Sequence, residues 1–139
     1  MGEYSTLIQV PRAIPFQATQ INGITDEMLI GQPTPEEVFP ALDAFIRDSI
    51  LVAHNARFDI GFLRQEYKLL GTRFHHRHIC TLAMSRNRFP YLRNHKLETV
   101  YRHLCGDTVE SRQRHRALDD ARMVAGIWLA MEGGCSGDR

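Results

Sequence analysis

The apolar positions of this chain fall into short runs and stripes separated by turn residues, and their spacing predicts the local structure. Tyr4, Ile8 and Val10 share one face of an alternating segment, with Glu3, Ser5 and Gln9 mostly opposite. That alternation predicts a half-buried strand from Tyr4 to Val10, closed by Pro11 and Pro15. Ile21 to Gly31 reads as a loop and short helix, with Thr25 as its cap and Gly31 as its stop. Thr34-Pro35-Glu36-Glu37 is a strong helix start: a capping Thr, a Pro at the first helical position and a Glu three residues on. Val38, Leu42, Phe45 and Ile46 supply that helix's buried face, and Pro40 is expected to kink it or limit its first half. Leu51-Val52-Ala53 predicts a short buried strand. His54-Asn55 interrupts it, and Asn55 suits the N-cap of a helix whose Phe58, Phe62, Leu63, Tyr67 and Leu70 fall on one face before Gly71.

Downstream, Arg73 to Cys80 reads as a short strand with a basic rim, followed by a helix from about Thr81 to Arg88. The loop from Asn87 to Arg93 interleaves Arg88 and Arg93 with Phe89 and Tyr91, a pattern suited either to phosphates and stacked bases or to an ordinary exposed loop. Asn94 suits the cap of a helix that turns Leu97, Val100, Tyr101 and Leu104 inward before Gly106. A polar loop covers Asp107 to Arg114. The last helix runs from about Ala117 to Met131, and residues 133–139 read as a flexible tail. Strand, helix, strand and helices in this order predict an α/β layered domain spanning residues 1–132.

Two carboxylates break these stripes. Asp59 has Phe62 and Leu63 as its i+3 and i+4 neighbours, so it falls within the apolar face, in the first turn of its helix. With Asp120 as origin and about 100° per residue, Ala117, Val124, Ile127, Trp128 and Met131 all lie within a quarter turn of it. A core-facing charge is costly unless paired or bound to a cation, although a helix start also favours an anion. A capping role bonded to its own first turn is therefore the alternative for Asp59. With His115 five residues before Asp120, the set matches metal-assisted hydrolysis: carboxylates hold hard cations through oxygen, and a histidine takes a proton from attacking water.

Composition narrows the picture only slightly. At 139 residues the chain has the length of one domain, and its 43% hydrophobic and 24% charged residues are ordinary for a globular protein. No apolar run approaches the roughly 20 residues that span a bilayer, and no signal-peptide pattern opens the chain. Cys80, Cys105 and Cys135 make an odd number without zinc-ligand spacing, so reduced thiols and a cytoplasmic location are expected. The net charge of +1 argues against a histone-like binder, yet residues 1–50 hold 2 Lys/Arg against 7 Asp/Glu while residues 51–139 hold 15 against 9. A polyanion would meet the second part. His75, His76, His78 and Cys80 could be imagined around zinc, but nothing downstream supplies a matched second half.

VAHNARFDIGFL, beginning at Val52, and His115-x-x-x-x-Asp120 resemble the second and third motifs of the DEDDh 3′–5′ exonucleases. Within that family the chain is most similar to the proofreading epsilon subunit and exonuclease domains of bacterial DNA polymerase III. The likeness continues through INGITDEML, from Ile21, and HKLETVYRHLCG, from His95. It implies a ribonuclease H-like fold with a mixed sheet and a two-metal site using Mg2+ or Mn2+. Asp59 and Asp120 would be metal ligands and catalytic carboxylates, and His115 the general base. His54, Asn55, Phe58, Arg114 and Arg116 would contact nucleic acid. The implied partners are single-stranded DNA 3′ ends, with RNA also open, a DNA polymerase subunit, and a second copy of the chain. Asn22 stands where many members carry histidine, and no Asp-x-Glu, the family's first motif, occurs anywhere in the 139 residues. The expectation is therefore a domain without its first two strands, impaired unless completed from elsewhere. The alternatives are a catalytically inactive relative that binds nucleic acid or a polymerase, and an unrelated histidine-rich metal protein.

Overall fold

A computed structural model of the chain describes residues 2–107 and 116–133. They group into two compact units. One comprises the residues up to Ser49 with Leu63–His75, the other Ile50–Phe62 with the residues from His76 onward.

The first unit is helical: α1 (Phe16–Asn22), α2 (Asp26–Leu29), α3 (Pro35–Ile46) and the second half of α4 (Ala56–Leu69). Thr25 caps α2 as expected, its hydroxyl accepting from the Met28 N–H at 3.4 Å. The Glu37 carboxylate reaches back to the Thr34 N–H at 2.9 Å to start α3. Pro40 does not end α3, which runs on to Ile46. Pro40 and Glu36 are both exposed, so the carbonyl that loses its helical partner can be solvated. Val38, Phe39 and Ile46 are buried, whereas Phe45, expected inside, is 48% exposed. Tyr67 joins this core edge to face with Phe39 and Phe74, at ring distances of 5.1 and 5.2 Å. Its hydroxyl donates to Asp43 at 2.5 Å. The strand expected over Tyr4 to Val10 does not form; Gln9 N–H bonds instead to the Pro33 carbonyl at 2.9 Å. A strand exists only against a neighbour, and among the described residues the paired strands are β1 (Leu51–Ala53) and β2 (His78–Cys80).

The second unit holds those two strands, which run parallel with Val52 opposite Ile79. It also contains the first half of α4, then α5 (Thr81–Arg88), α6 (Leu97–Cys105) and α7 (Ala117–Gly133). Val100, Ile127 and Met131 form its core, with Leu97, Tyr101 and Leu104 packed against them, as the stripe on α6 predicts. A Cβ on Gly126 would stand 2.8 Å from Tyr101 Cε2, so α6 and α7 approach closely there. Gly126→Ala gains helix propensity but forces that ring aside. The overpacking dominates, and we expect a net loss of about 1–2 kcal/mol in urea unfolding. No helix among the described residues is long and apolar enough to cross a membrane.

Candidate functional site

Asp59 lies in the first turn of α4 and Asp120 in the first turn of α7. The start of α7 is set by the Arg116 carbonyl, which accepts from the N–H groups of Asp119 and Asp120, each at 3.0 Å. Both carboxylates line one cleft of about 460 Å³, together with His54 and an apolar floor from Val52, Ala53, Leu97, Val124 and Trp128. Ala117, Ala121 and Ala125 recur every fourth residue along α7, and their small side chains leave the cleft open. Asp119 is not part of the lining; it pairs with Arg122 at 3.2 Å.

The face of α4 differs from the reading that put Asp59 in a buried stripe. Ala56, Ile60 and Tyr67 are the buried positions, whereas Phe58 is 61% and Phe62 54% exposed. Asp59 is exposed as well, at the cleft. Phe58 and Phe62 instead pair edge to face on the surface, with ring centres 4.8 Å apart. Partial burial raises the Asp59 pKa, its own backbone N–H opposes this, and the charge of Asp120 raises it further. Two carboxylates that repel across an apolar cleft are relieved by a proton or a cation. Among the described residues no three or more His, Cys, Asp or Glu side chains are grouped to hold a metal ion.

His54 follows β1 and is held at both ring nitrogens. Nε2 lies 2.8 Å from the His95 carbonyl, which only accepts, so Nε2 carries the hydrogen. Nδ1, 2.9 Å from Thr81 Oγ1, is then the acceptor of the neutral ring. Burial lowers the His54 pKa, opposed by the bond to the His95 carbonyl and reinforced by repulsion from His95 and Arg86. Ser85 lies 2.7 Å from His95 Nδ1, and Thr81 and Ser85 are fully buried. The network ties the end of β1 to α5 and to the segment before α6.

Thr81→Val leaves Nδ1 without a donor. We expect a loss of about 1–3 kcal/mol in denaturant unfolding. Because the folded pKa of His54 lies below its unfolded value, the unfolded chain protonates first, and His54 costs stability as pH falls below about 6.5.

Asn55 adopts φ of +64°, a left-handed conformation that asparagine tolerates better than most residues, and its carbonyl accepts from the Phe58 N–H at 2.9 Å. Asn55 thus immediately precedes α4, with a left-handed backbone rather than the extended one usual at an N-cap. Burial pushes the Cys80 thiol up, but backbone N–H groups of Ala83, Ala56, Leu82 and Asn55 outweigh it and lower its pKa. The starts of α4 and α5 therefore converge on one sulfur. Arg116 is exposed just before α7, while His115 and Arg114 lie outside the described residues. Thr81, Ser85 and His95 were not singled out from the sequence. The available signal was two hydroxyls four residues apart on a helix otherwise poor in apolar positions.

The family model described as Exonuclease (RNase_T) matches residues 2–128. The chain is 38% identical over 127 residues to the DNA polymerase III PolC-type of Clostridium perfringens, covering 91% of this chain and 9% of that protein. It is 36% identical over 128 residues to the DNA polymerase III subunit epsilon of Aquifex aeolicus, covering 91% of this chain and 62% of that subunit. The chain thus spans less than two thirds of the length of either relative. Among solved structures, exonuclease X in complex with 5′ overhanging duplex DNA superposes with a TM-score of 0.70 at 29% identity, over 96% of this chain and 74% of that one.

Proposed function

Because this chain belongs to the exonuclease family, we propose that it hydrolyses nucleotides from DNA 3′ ends, with Asp59, Asp120 and His115 at the reaction centre. The observation that carries this reading is the convergence of Asp59 and Asp120, from two different helix starts, on one cleft where the charge of Asp120 makes Asp59 harder to ionise. Divalent metals are general in the family, and an oxygen-only pair fits Mg2+ or Mn2+ better than zinc. When bound, such ions polarise the phosphate and acidify water.

The chain's own residues would then act as follows. Asp59 and Asp120 hold the cation through their carboxylate oxygens. His115 accepts a proton from water as its oxygen bonds to phosphorus; the bond from phosphorus to the preceding 3′ oxygen breaks, and that oxygen leaves as a hydroxyl after taking up a proton. The product is a nucleoside 5′-monophosphate. Phe58, exposed beside Asp59 and backed by Phe62, offers a face to the terminal base. Asn55, Arg114 and Arg116 contact the strand, while His54, with both ring nitrogens engaged, fixes the cleft wall. The relatives' names make a DNA polymerase III subunit the favoured protein partner.

One observation favours a second reading. Among the described residues Asp59 and Asp120 are the carboxylates that line the cleft, and the sequence contains no Asp-x-Glu, so without further acids the chain would bind nucleic acid without cutting it. The test is a 5′-labelled oligonucleotide with manganese, run as DNA and as RNA. A ladder of shortened DNA products that Asp59→Ala removes supports hydrolysis. Binding without any ladder sinks the exonuclease reading and favours the second.

A further inference from the structure

The second unit carries an aromatic cluster that the proposed reaction does not use. Phe89, Tyr91 and His103 pack edge to face, with ring centres 6.3 Å apart for Phe89 and Tyr91, 5.0 Å for Phe89 and His103, and 5.9 Å for Tyr91 and His103. The Tyr91 hydroxyl lies 3.4 Å from His103 Nε2. Phe89 packs against the core of Val100, Ile127 and Met131, which fixes the cluster, yet Tyr91 remains 71% exposed and His103 is open to solvent. Packing therefore orders two rings at the surface that contribute little to the core.

The stretch that carries them is mostly basic. Residues 86–103 contain five Lys/Arg (Arg86, Arg88, Arg93, Lys96 and Arg102) against one acid, Glu98. Arg102 is engaged by Asp107 at 2.6 Å, and Arg88 donates to the Met131 carbonyl at 2.7 Å. Arg93 is exposed and lies two positions along the chain from Tyr91, which makes it the cation nearest that ring in the sequence. A fixed exposed aromatic next to a cation, in a basic field, is the combination that holds single-stranded nucleic acid: the ring stacks on a base of any sequence and the cation meets phosphate.

We propose that this cluster is a second nucleic-acid contact, with Tyr91 stacking on a base and Arg93 meeting a phosphate of the strand whose 3′ end enters the cleft. The strand's direction rests on the exonuclease reading; the contact itself does not. Arg88 anchors the cluster's segment at Met131, eleven positions beyond Asp120 on α7 (131 − 120), or roughly 16 Å along the helix. A stacked strand rising about 3.4 Å per nucleotide covers that distance in roughly five nucleotides. On this spacing we expect strands of about four nucleotides in the cleft to fall short of Tyr91 and strands of about twelve to reach it.

Fluorescence anisotropy with labelled dT4 and dT12 in EDTA, on the 139-residue chain, tests this without any hydrolysis step. We expect Tyr91→Ala to weaken dT12 binding about tenfold and to leave dT4 unchanged, with Tyr91→Trp restoring dT12 affinity. Arg93→Ala should make the log–log salt dependence for dT12 shallower by about 0.7. Circular dichroism on each variant checks folding, which an exposed ring should not disturb. Equal dT12 affinity of wild type and Tyr91→Ala overturns the inference and leaves a protein partner as the occupant of the surface. An equal loss on dT4 and dT12, or no wild-type binding to either, also overturns it. A chain that cuts nothing but binds dT12 through Tyr91 keeps the inference while the exonuclease reading fails.

Discussion

Asp59→Ala and Asp120→Ala should each weaken manganese binding by more than about 100-fold in calorimetric titration, since even outer partners of metal ligands are worth about 10–100-fold. The electrostatics give the sign. Burial and the Asp120 charge raise the Asp59 pKa, so the folded, metal-free protein holds this proton more tightly than the unfolded chain does. Its contribution to stability therefore declines as pH rises from about 3.9 through the raised pKa. A divalent cation replaces the proton and removes the repulsion. Manganese affinity should accordingly fall as pH drops toward the raised pKa, and the cation should raise the melting temperature more at neutral pH than in acid. A purely capping Asp59 behaves differently: alanine then lowers stability by about 0.5–2 kcal/mol and leaves manganese binding untouched. Unchanged binding in both variants would remove the two residues from any metal site.

Much of this arrangement was legible in the sequence where local chemistry decides it. The boundaries of α5, from Thr81 to Arg88, and the start of α7 at Ala117 follow from turn residues and helical spacing. The capping sequence at Thr34 places α3, and a three-residue apolar run places β1. That Asp59 and Asp120 line one cleft was legible from two acids at helix starts, although the stripe that flagged Asp59 is not the face α4 buries. What failed needed tertiary information. A stripe of Phe58, Phe62, Leu63 and Tyr67 says that one side of α4 is apolar, but not which of two adjacent faces is covered; the structure buries Ala56 and Ile60 and leaves both phenylalanines out. The alternation over Tyr4 to Val10 suits a strand, yet pairing depends on a neighbour that alternation cannot supply. No helix stripe announced α1, because none of its residues is buried. The bonds of His54 to Thr81 and the His95 carbonyl join residues 27 and 41 positions apart in the chain, a separation that local patterns do not report.

His115→Ala is expected to lower the turnover rate by roughly 10²–10⁴-fold while leaving the Michaelis constant nearly unchanged, if the residue is the general base of an active, metal-loaded enzyme. The proposal rests on position in the chain: His115 precedes Asp120 by five residues, just ahead of the turn in which the Arg116 carbonyl starts α7. His54 cannot readily serve instead, because Nε2 is committed to the His95 carbonyl and Nδ1 to Thr81. A base must also be unprotonated at working pH, so the logarithm of the rate should rise with pH through the histidine range and then level off. His115→Ala should flatten that limb as well as lowering the plateau. A phosphate-contacting His115, acting beside Arg114 and Arg116, gives the opposite split: the Michaelis constant rises, turnover barely moves, and the pH limb survives. Steady-state kinetics on a labelled single strand across pH 5.5–9 separates the two. Retention of both the limb and the wild-type turnover in His115→Ala would take the general-base role away from this residue.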